Sequence, residues 1–530
     1  MTAGLPARMA FPLDHRALPR TGDIASVCVV GNGYVGTVVA ASLSCVGHAV
    51  VGLETDDAKL ATLRSGRAPF RERHLDDLLK RGLERGSLAF TDAPEQAVAS
   101  ADVVFLCVGS PSYPDGSVDL RPLESAGRAV APWLRPDCVL VIKTTVPVGT
   151  NAWLNALVRR ATGLDPGQAP PVVSNPEFLR QGSAVQDFLR PDRIVLGGLD
   201  DAALDAVVRV YRPILEQRFR GADGCRRPIL VRTTPAVAEA AKYAANAFLA
   251  AKVSFINEMA NICDLMGADV EEVAKIIGLD RRIGPEFLQA GVGWGGSCFA
   301  KDLDALILAA RQVGYDAQLL QAARDVNQRQ LEGVMEKLRR HLILYGAHVA
   351  LLGLAFKPGT DDLRGAPAVK LARSLQLSGA LVTAFDPLVR GIADMPDVGV
   401  TDDPYEAAAG ADAVVLVTNW PELRALDLVE LRSRMRGHVL VDGRNALDPS
   451  AAARAGLEYE GMGRGAVREN LPKGTLARSL IGVRKGGLAP HVGAAHEGSA
   501  VDGNGCRPSE KTVSKANNEA SDPVTSRWVS

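Results

Sequence analysis

Residues 26–36, SVCVVGNGYVG, constrain this chain more than any other stretch of its sequence. A short apolar run of this kind fits a buried parallel strand, and the glycines that follow fall at the first, third and sixth places of a turn. Gly31 suits a tight turn, Gly33 lets a pyrophosphate approach the backbone, and Gly36 lets the next segment pack closely. Residues 37–48, TVVAASLSCVGH, read as a helix, whose first N–H groups are free to hold an anion. A second apolar run, 49–53, ends in Glu54, about 20 residues beyond the glycines. A carboxylate there accepts hydrogen bonds from both ribose hydroxyls and repels a 2′-phosphate, so the spacing predicts a βαβ unit that binds NAD rather than NADP.

The strand and helix alternation continues. Residues 103–108 and 139–143 read as buried parallel strands running into the turns GSP and TTVPVGT. Ligands of an open α/β sheet sit beyond the carboxyl ends of its strands, so Thr145 is either a cofactor or water contact or a helix N-cap. After residues 172–173 comes SNPEFLRQG, in which the proline biases Asn175 away from helix and leaves Glu177 just past a strand end, a candidate general acid or base. Asp192 and Arg193 read as a structural turn or ion pair ahead of a strand-like IVLGG.

Thr233-Thr234-Pro235 predicts the start of a long alanine-rich helix reaching about Cys263. Lys242 and Asn246 share one face of it, either as part of a site or as ordinary solvated polar groups. So long and apolar a helix is expected to pack against a second subunit. Further on, GVGWGGSCFAKD places Cys298 behind four glycines and within four residues of Lys301 and Asp302. The thiol reads as a nucleophile, the glycines making room for a bulky ligand, or else as a small core cysteine in a glycine-rich loop.

A second α/β pattern follows, with strand-like runs at 348–354, 381–385, 413–417 and 439–441. Its first turn, GLAFKPGTDDLR, lacks the glycine fingerprint, so this half should not hold a dinucleotide in the same way. Lys357, Arg364 and Arg444 put cations at strand ends, for a second phosphorylated ligand or for surface salt bridges.

With Lys+Arg 60 against Asp+Glu 61, no overall field draws the chain to nucleic acid or an anionic membrane. Eight scattered cysteines show neither a disulfide framework nor metal-ligand spacing, and no apolar run reaches membrane-spanning length. The expectation is a cytoplasmic protein without a metal, an organelle transit peptide resting on Arg8, Arg16 and Arg20 being the weaker alternative. An irregular leader is expected over 1–22 and a disordered tail over 465–530, rich in glycine, serine and polar residues.

Taken in order, GNGYVG, VGSPSYPDG, KTTVPVGT, SNPEFLRQG, AKYAANAFLA, DRRIG, GVGWGGSCFAKD, GLAFKPGTDDLR and VDGRN resemble the motifs of the UDP-glucose/GDP-mannose dehydrogenase family over about residues 25–464. The resemblance implies an α/β fold of two Rossmann-like doubly wound domains joined by a long central helix that forms the dimer core. It divides the chain into an NAD-binding domain at 23–232, a central helical dimerisation domain at 233–335 and a nucleotide-sugar domain at 336–464. It implies a homodimer or higher homo-oligomer, and oxidation of a sugar C6 alcohol to a carboxylate with two NAD and one water.

Cys298 matches the family nucleophile, which carries the aldehyde as a thiohemiacetal and then a thioester. Lys242 matches the group that stabilises oxyanions and Asn246 a positioning group, while Asp302, Glu177 and Thr145 match groups that handle protons and water. For the cofactor the matching positions are Gly31, Gly33, Tyr34, Val35, Gly36, Glu54, Lys59, Ser110, Thr145, Gln181 and Arg364. For the nucleotide sugar they are Glu177, Phe178, Leu179, Arg180, Lys242, Asn246, Phe287, Leu288, Gln289, Ala290, Gly291, Gly295, Lys357 and Arg444, with Arg282 reaching in from a partner subunit. Ser110, Thr144 and Glu54 conserve the chemistry of the family's usual residues, whereas Gln181 replaces a glutamate beside the cofactor.

A covalent cysteine is superfluous in a single alcohol oxidation and useful when an aldehyde must be held for a second one. DRRIG and PDRIVLG resemble the UDP-glucose branch more than the GDP-mannose or UDP-N-acetylhexosamine branches. A non-catalytic nucleotide-sugar sensor and a single-step hydroxy-acid dehydrogenase are the readings of other classes; intact Cys298, Lys242 and Asp302 weigh against the sensor.

Overall fold

A computed structural model describes residues 24–164, 168–219, 222 and 225–464. The leader and tail expected at 1–22 and 465–530 lie outside the described residues.

The first sheet has eight strands: β1 (Ser26–Val30), β2 (Ala49–Leu53), β3 (Leu88–Thr91), β4 (Val103–Leu106), β5 (Val139–Ile142), β6 (Val172–Ser174), β7 (Arg193–Gly197) and β8 (Ile229–Thr233). Their order is β3-β2-β1-β4-β5-β6-β7-β8, parallel except where β6 meets β7 through the single antiparallel pair Ser174↔Gly197. The uninterrupted apolar runs at β4 and β5 have the cause expected of them, burial on both faces. Val27, Val29, Phe105 and Val141 enter one core, while Cys28, Val30, Leu106 and Ile142 enter the core on the opposite face. Gly36 packs as its spacing requires, since a Cβ there would lie 1.9 Å from the Gly31 carbonyl oxygen.

The central helix, Pro235–Met266, begins at Thr234, whose hydroxyl accepts from Val237 N–H, and stops at Gly267 in the left-handed region. It packs against two further helices, Phe299–Gln312 and Gln318–Arg339. The chain then forms a second sheet from β9 (His348–Leu352), β10 (Leu381–Phe385), β11 (Gly399–Thr401), β12 (Ala413–Leu416), β13 (Val439–Asp442) and β14 (Glu458–Gly461). The order is β11-β10-β9-β12-β13-β14, parallel throughout. Strand order reverses between β1 and β4 and again between β9 and β12, the crevices where ligands of doubly wound sheets bind. Among the described residues no helix is long and apolar enough to cross a membrane.

Candidate active site

Cys298 caps the N-terminus of the helix Phe299–Gln312 and opens onto a cleft of about 520 Å³. The central helix turns Lys242 and Asn246 into the same cleft, and the segment after β6 adds Glu177, Phe178, Leu179 and Arg180. Lys242 Nζ lies 3.2 Å from Glu177 Oε1, with the two side chains only 5% and 9% exposed. Behind the cysteine, Asp302 is buried and accepts from Asn246 Nδ2 at 2.5 Å and from Lys301 Nζ at 2.7 Å. Lys301 also reaches Ser110 Oγ at 3.5 Å, so one polar chain runs from the first sheet to Asn246. Lys242 and Asn246 are thus not solvated polar groups: both are buried and line the cleft.

Cys298 is accessible from the cleft, yet protein crowds its sulfur and raises the thiol above its ordinary value. The Glu177 and Asp302 carboxylates push the same way, opposed by the Lys242 ammonium and the Ser297 hydroxyl. Burial disfavours the Lys242 charge, but Glu177, then Asp302 and Cys298, outweigh it and raise the ammonium above its usual range. The resting site therefore holds a protonated thiol beside a firmly charged lysine. Thr145 lines a separate small cavity of about 10 Å³ with Ser174, Glu239 and Lys242, enough for about one water.

The glycines before Cys298 face protein, which corrects the expectation that they clear space for a ligand. A Cβ at Gly291 would meet Gly443 O at 2.6 Å, at Gly293 it would meet Asn327 Oδ1 at 2.7 Å, and at Gly295 it would meet Gly365 O at 2.5 Å. Gly296, at φ +86°, lies under the Phe356 ring. Val292 enters the core of the second sheet and donates its N–H to Gly443 O. The loop is thus pinned between the central helices and the second sheet.

At the cofactor end, Gly31 takes the left-handed turn at φ +82°, and the position of a Gly33 Cβ is open, with nothing within 4 Å. Gly33 caps the helix Tyr34–Cys45 without a side-chain hydrogen bond, so open space meets free helix-start amides, a cradle that fits a dinucleotide pyrophosphate. Glu54 is buried at the end of β2, but Oε2 accepts from Asn32 N–H at 2.9 Å and Oε1 from Thr55 and Asp56 N–H at 3.0 Å. About one of its four lone-pair directions is left for a ribose, fewer than the sequence suggests. Lys59 is exposed and paired with Asp56, and Val35 is half-buried beside Tyr34. Tyr34 donates to Glu72, a buried carboxylate that also accepts from Gly182 N–H at 2.7 Å and Ala184 N–H at 3.0 Å. Gln181 donates to Asp362 at 2.9 Å and Arg364 pairs with the same carboxylate at 2.7 Å, joining residues from the two halves of the chain.

On the substrate side, Phe287 lines the cleft at φ +64°, a strained conformation for a non-glycine residue, while Leu288 and Ala290 are buried and Gln289 is exposed. The ammonium of Lys357 is held below its ordinary value first by burial and then by Arg180, so cations from both halves converge there. Arg444 sits against Gly291 and donates to Val417 O at 2.7 Å. Arg282 stands apart, exposed and paired with Asp280 at 2.7 Å. Of the structural turn or ion pair expected of Asp192 and Arg193, the bend at Asp192 is present and the ion pair is not; the Arg193 guanidinium lies 3.8 Å from the centre of the Phe178 ring.

Sequence reasoning missed Lys143, a buried cleft residue, and Glu239, a buried carboxylate that accepts from Gly149 and Asn151 N–H. Both carry a signal, a charge ending an apolar strand and a charge one turn before Lys242 in an alanine run.

Residues 25–215, 236–329 and 350–449 match the NAD binding, central and UDP binding domains of the UDP-glucose/GDP-mannose dehydrogenase family. The chain is 43% identical over 449 residues to a UDP-glucose 6-dehydrogenase of Pseudomonas aeruginosa, an alignment covering 83% of this chain and 97% of the other. It is 42% identical over 451 residues to one of Rhizobium meliloti, covering 83% and 99%. Among solved structures it is similar to a UDP-glucose dehydrogenase of Pyrobaculum islandicum, with TM-score 0.74, 38% identity, and coverage of 85% and 100%. A UDP-D-ManNAc dehydrogenase of Pyrococcus horikoshii gives TM-score 0.74 at 29% identity, covering 83% and 99%.

Proposed function

The chain belongs to the UDP-glucose/GDP-mannose dehydrogenase family, and from that premise we propose that it oxidises the C6 alcohol of UDP-glucose to the carboxylate of UDP-glucuronate. Two NAD and one water are consumed per sugar. The observation that carries this reading is the convergence of Cys298, Lys242, Asn246 and Glu177 on one cleft. Greater likeness to the UDP-glucose 6-dehydrogenases than to the UDP-D-ManNAc enzyme favours UDP-glucose over its sister nucleotide sugars.

NAD, when bound, supplies the acceptor for each hydride. Gly31, Gly33 and Gly36 with the amides of Tyr34 and Val35 would hold its phosphates, and Glu54 and Lys59 its adenosine ribose. Ser110, Thr145, Gln181 and Arg364 would border its nicotinamide end. Lys242 stabilises negative charge on the C6 oxygen during the first oxidation, and Asn246, braced by Asp302, fixes that oxygen in place. Cys298 then adds to the aldehyde, its proton passing to the surrounding carboxylate and water network, and the thiohemiacetal is oxidised to a thioester. Glu177, Thr145 and Asp302 steer the water that releases the acid and regenerates the thiol. Phe178 to Arg180, Phe287 to Gly291, Gly295, Lys357 and Arg444 would hold the nucleotide sugar.

The working enzyme is a cytoplasmic homodimer in this reading. Phe248, Phe255 and Ile262 recur every second turn of the central helix and are 67%, 51% and 39% exposed, a stripe suited to a second copy that would also deliver Arg282. The test is the NADH yield per UDP-glucose for wild type and Cys298→Ser, with GDP-mannose and UDP-N-acetylglucosamine as alternatives. Two NADH from UDP-glucose, with the second lost in the variant, is the expected result. One NADH from the wild type would sink the thioester scheme.

A further inference from the structure

Lys143 follows β5 directly and is 5% exposed. Its ammonium has two neutral oxygen partners, Asn175 Oδ1 at 3.0 Å and the Tyr211 hydroxyl at 3.2 Å. It also lies 5.8 Å and 5.6 Å from the ring centres of Phe188 and Tyr211. No carboxylate among the described residues forms an ion pair with it, in contrast to Lys242, which has Glu177 in the same cleft. A buried ammonium with only neutral partners is costly, and a core that needed only volume would be better served by an apolar side chain.

Its anchors point to what the charge does. Tyr211 donates to Asn175 Oδ1 at 2.6 Å, and Asn175 Nδ2 donates to Val195 O at 2.9 Å. The amide is therefore locked between a cation, a phenol and β7, and two residues later the chain presents Glu177 to Lys242. We propose that Lys143 is a positioning residue: its ammonium holds the Asn175-Pro176-Glu177 turn, and with it the Glu177–Lys242 pair, in the working arrangement, and activity falls when that ammonium loses its proton. This rests on the reading of Glu177 and Lys242 as catalytic neighbours.

The groups facing Lys143 are Cys107 at the end of β4, Tyr211 of the helix Asp201–Leu215, Glu177 after β6 and Lys242 of the central helix. Asp187, beside Phe188, is turned to Arg180 at 2.7 Å. Burial lowers the Lys143 ammonium most; Cys107 and Glu177 oppose, Lys242 adds to the lowering, and the balance stands at about 8. Because the charged form is the active one, the rate should fall as pH rises through that value.

The experiment follows Lys143 in full-length protein carrying lysine labelled with 13C at Cε, its resonance assigned by disappearance in Lys143→Arg. A titration near 8 that coincides with the alkaline fall of kcat/KM for UDP-glucose is expected. Tyr211→Phe removes an acceptor of the charged form and should move both midpoints down by about one pH unit, the size of one charged hydrogen bond. Asn175→Asp, which supplies an anion, should move both up. A Lys143 that titrates in the ordinary lysine range, or variants that move its titration while the rate profile stays fixed, would overturn the proposal. A wild type that shows the titration near 8 yet turns over no UDP-glucose would overturn the functional reading instead.

Discussion

Glu177→Gln tests the energetic core of the site. The carboxylate is 3.2 Å from Lys242 Nζ, both side chains are nearly buried, and at an effective dielectric of about 20 their attraction is roughly 5 kcal/mol. An amide keeps an acceptor for the ammonium but removes the charge, leaving Lys242 with its burial penalty and a loss of about 3 kcal/mol at neutral pH. The pH dependence has a definite sign. In the wild type the folded-state value of Lys242 is above its ordinary 10.5, so its stabilising contribution is complete below 10.5 and is lost as pH rises through the folded value. In Glu177→Gln the largest opposing charge is gone, and with Asp302 as the remaining carboxylate against burial the folded value is expected to fall below 10.5; the variant's deficit is then largest at neutral pH and shrinks as pH rises through that lowered value. At about 2–4 °C per kcal/mol, thermal melting should show a deficit of about 6–12 °C at pH 7 and a smaller one at pH 9.5. Adding Lys242→Met should recover much of it. A deficit below about 2 °C, or one equal at both pH values, would refute the argument.

Three further outcomes are expected. Gly36→Ala places a Cβ on the Gly31 carbonyl, so it should lower stability by at least about 1–3 kcal/mol and weaken NAD binding, read by melting with and without NAD. Alkylation of Cys298 by iodoacetamide should rise with pH only above the ordinary thiol range; Glu177→Gln should shift that rise to lower pH and Lys242→Met to higher pH, and shifts of opposite sign would contradict the assigned electrostatics. If the proposed homodimer packs through this helix face, Phe255→Glu should split it, with sedimentation showing monomers; an unchanged mass would remove this face from the proposed interface.

Most of the first sheet was legible because its middle strands are buried on both faces and read as unbroken apolar runs. β3 and β8 escaped for a physical reason: each lies at an edge of the sheet, and β8, ILVRT, is largely exposed and carries no two-sided apolar signature. The predicted second half likewise appears, and its edge strands β11 and β14 are the ones the sequence did not show. At the site, Lys242 and Asn246 were placed together by helix periodicity alone. The partnership of Asn246 with Asp302 and the stacking of Arg193 on Phe178 depend on segments far apart in the chain, and nothing local encodes them. Glu54 shows the limit of motif reasoning, which gives a residue's address and not how much of its bonding capacity the protein itself has used.

The loop that carries the cysteine is wedged on several sides, by residues 443–444, 365–367, Asn327 and Phe356. Its glycines answer to neighbours within the chain, so the loop offers no latitude for changing what the enzyme accepts. Recutting the proposed site for a different sugar has to leave 291–296 untouched and work on the cleft lining, where Leu179, Arg180 and Phe287 meet open space. Under the proposed function, a change of sugar preference is therefore expected from substitutions in the cleft wall rather than in the packed loop behind the cysteine.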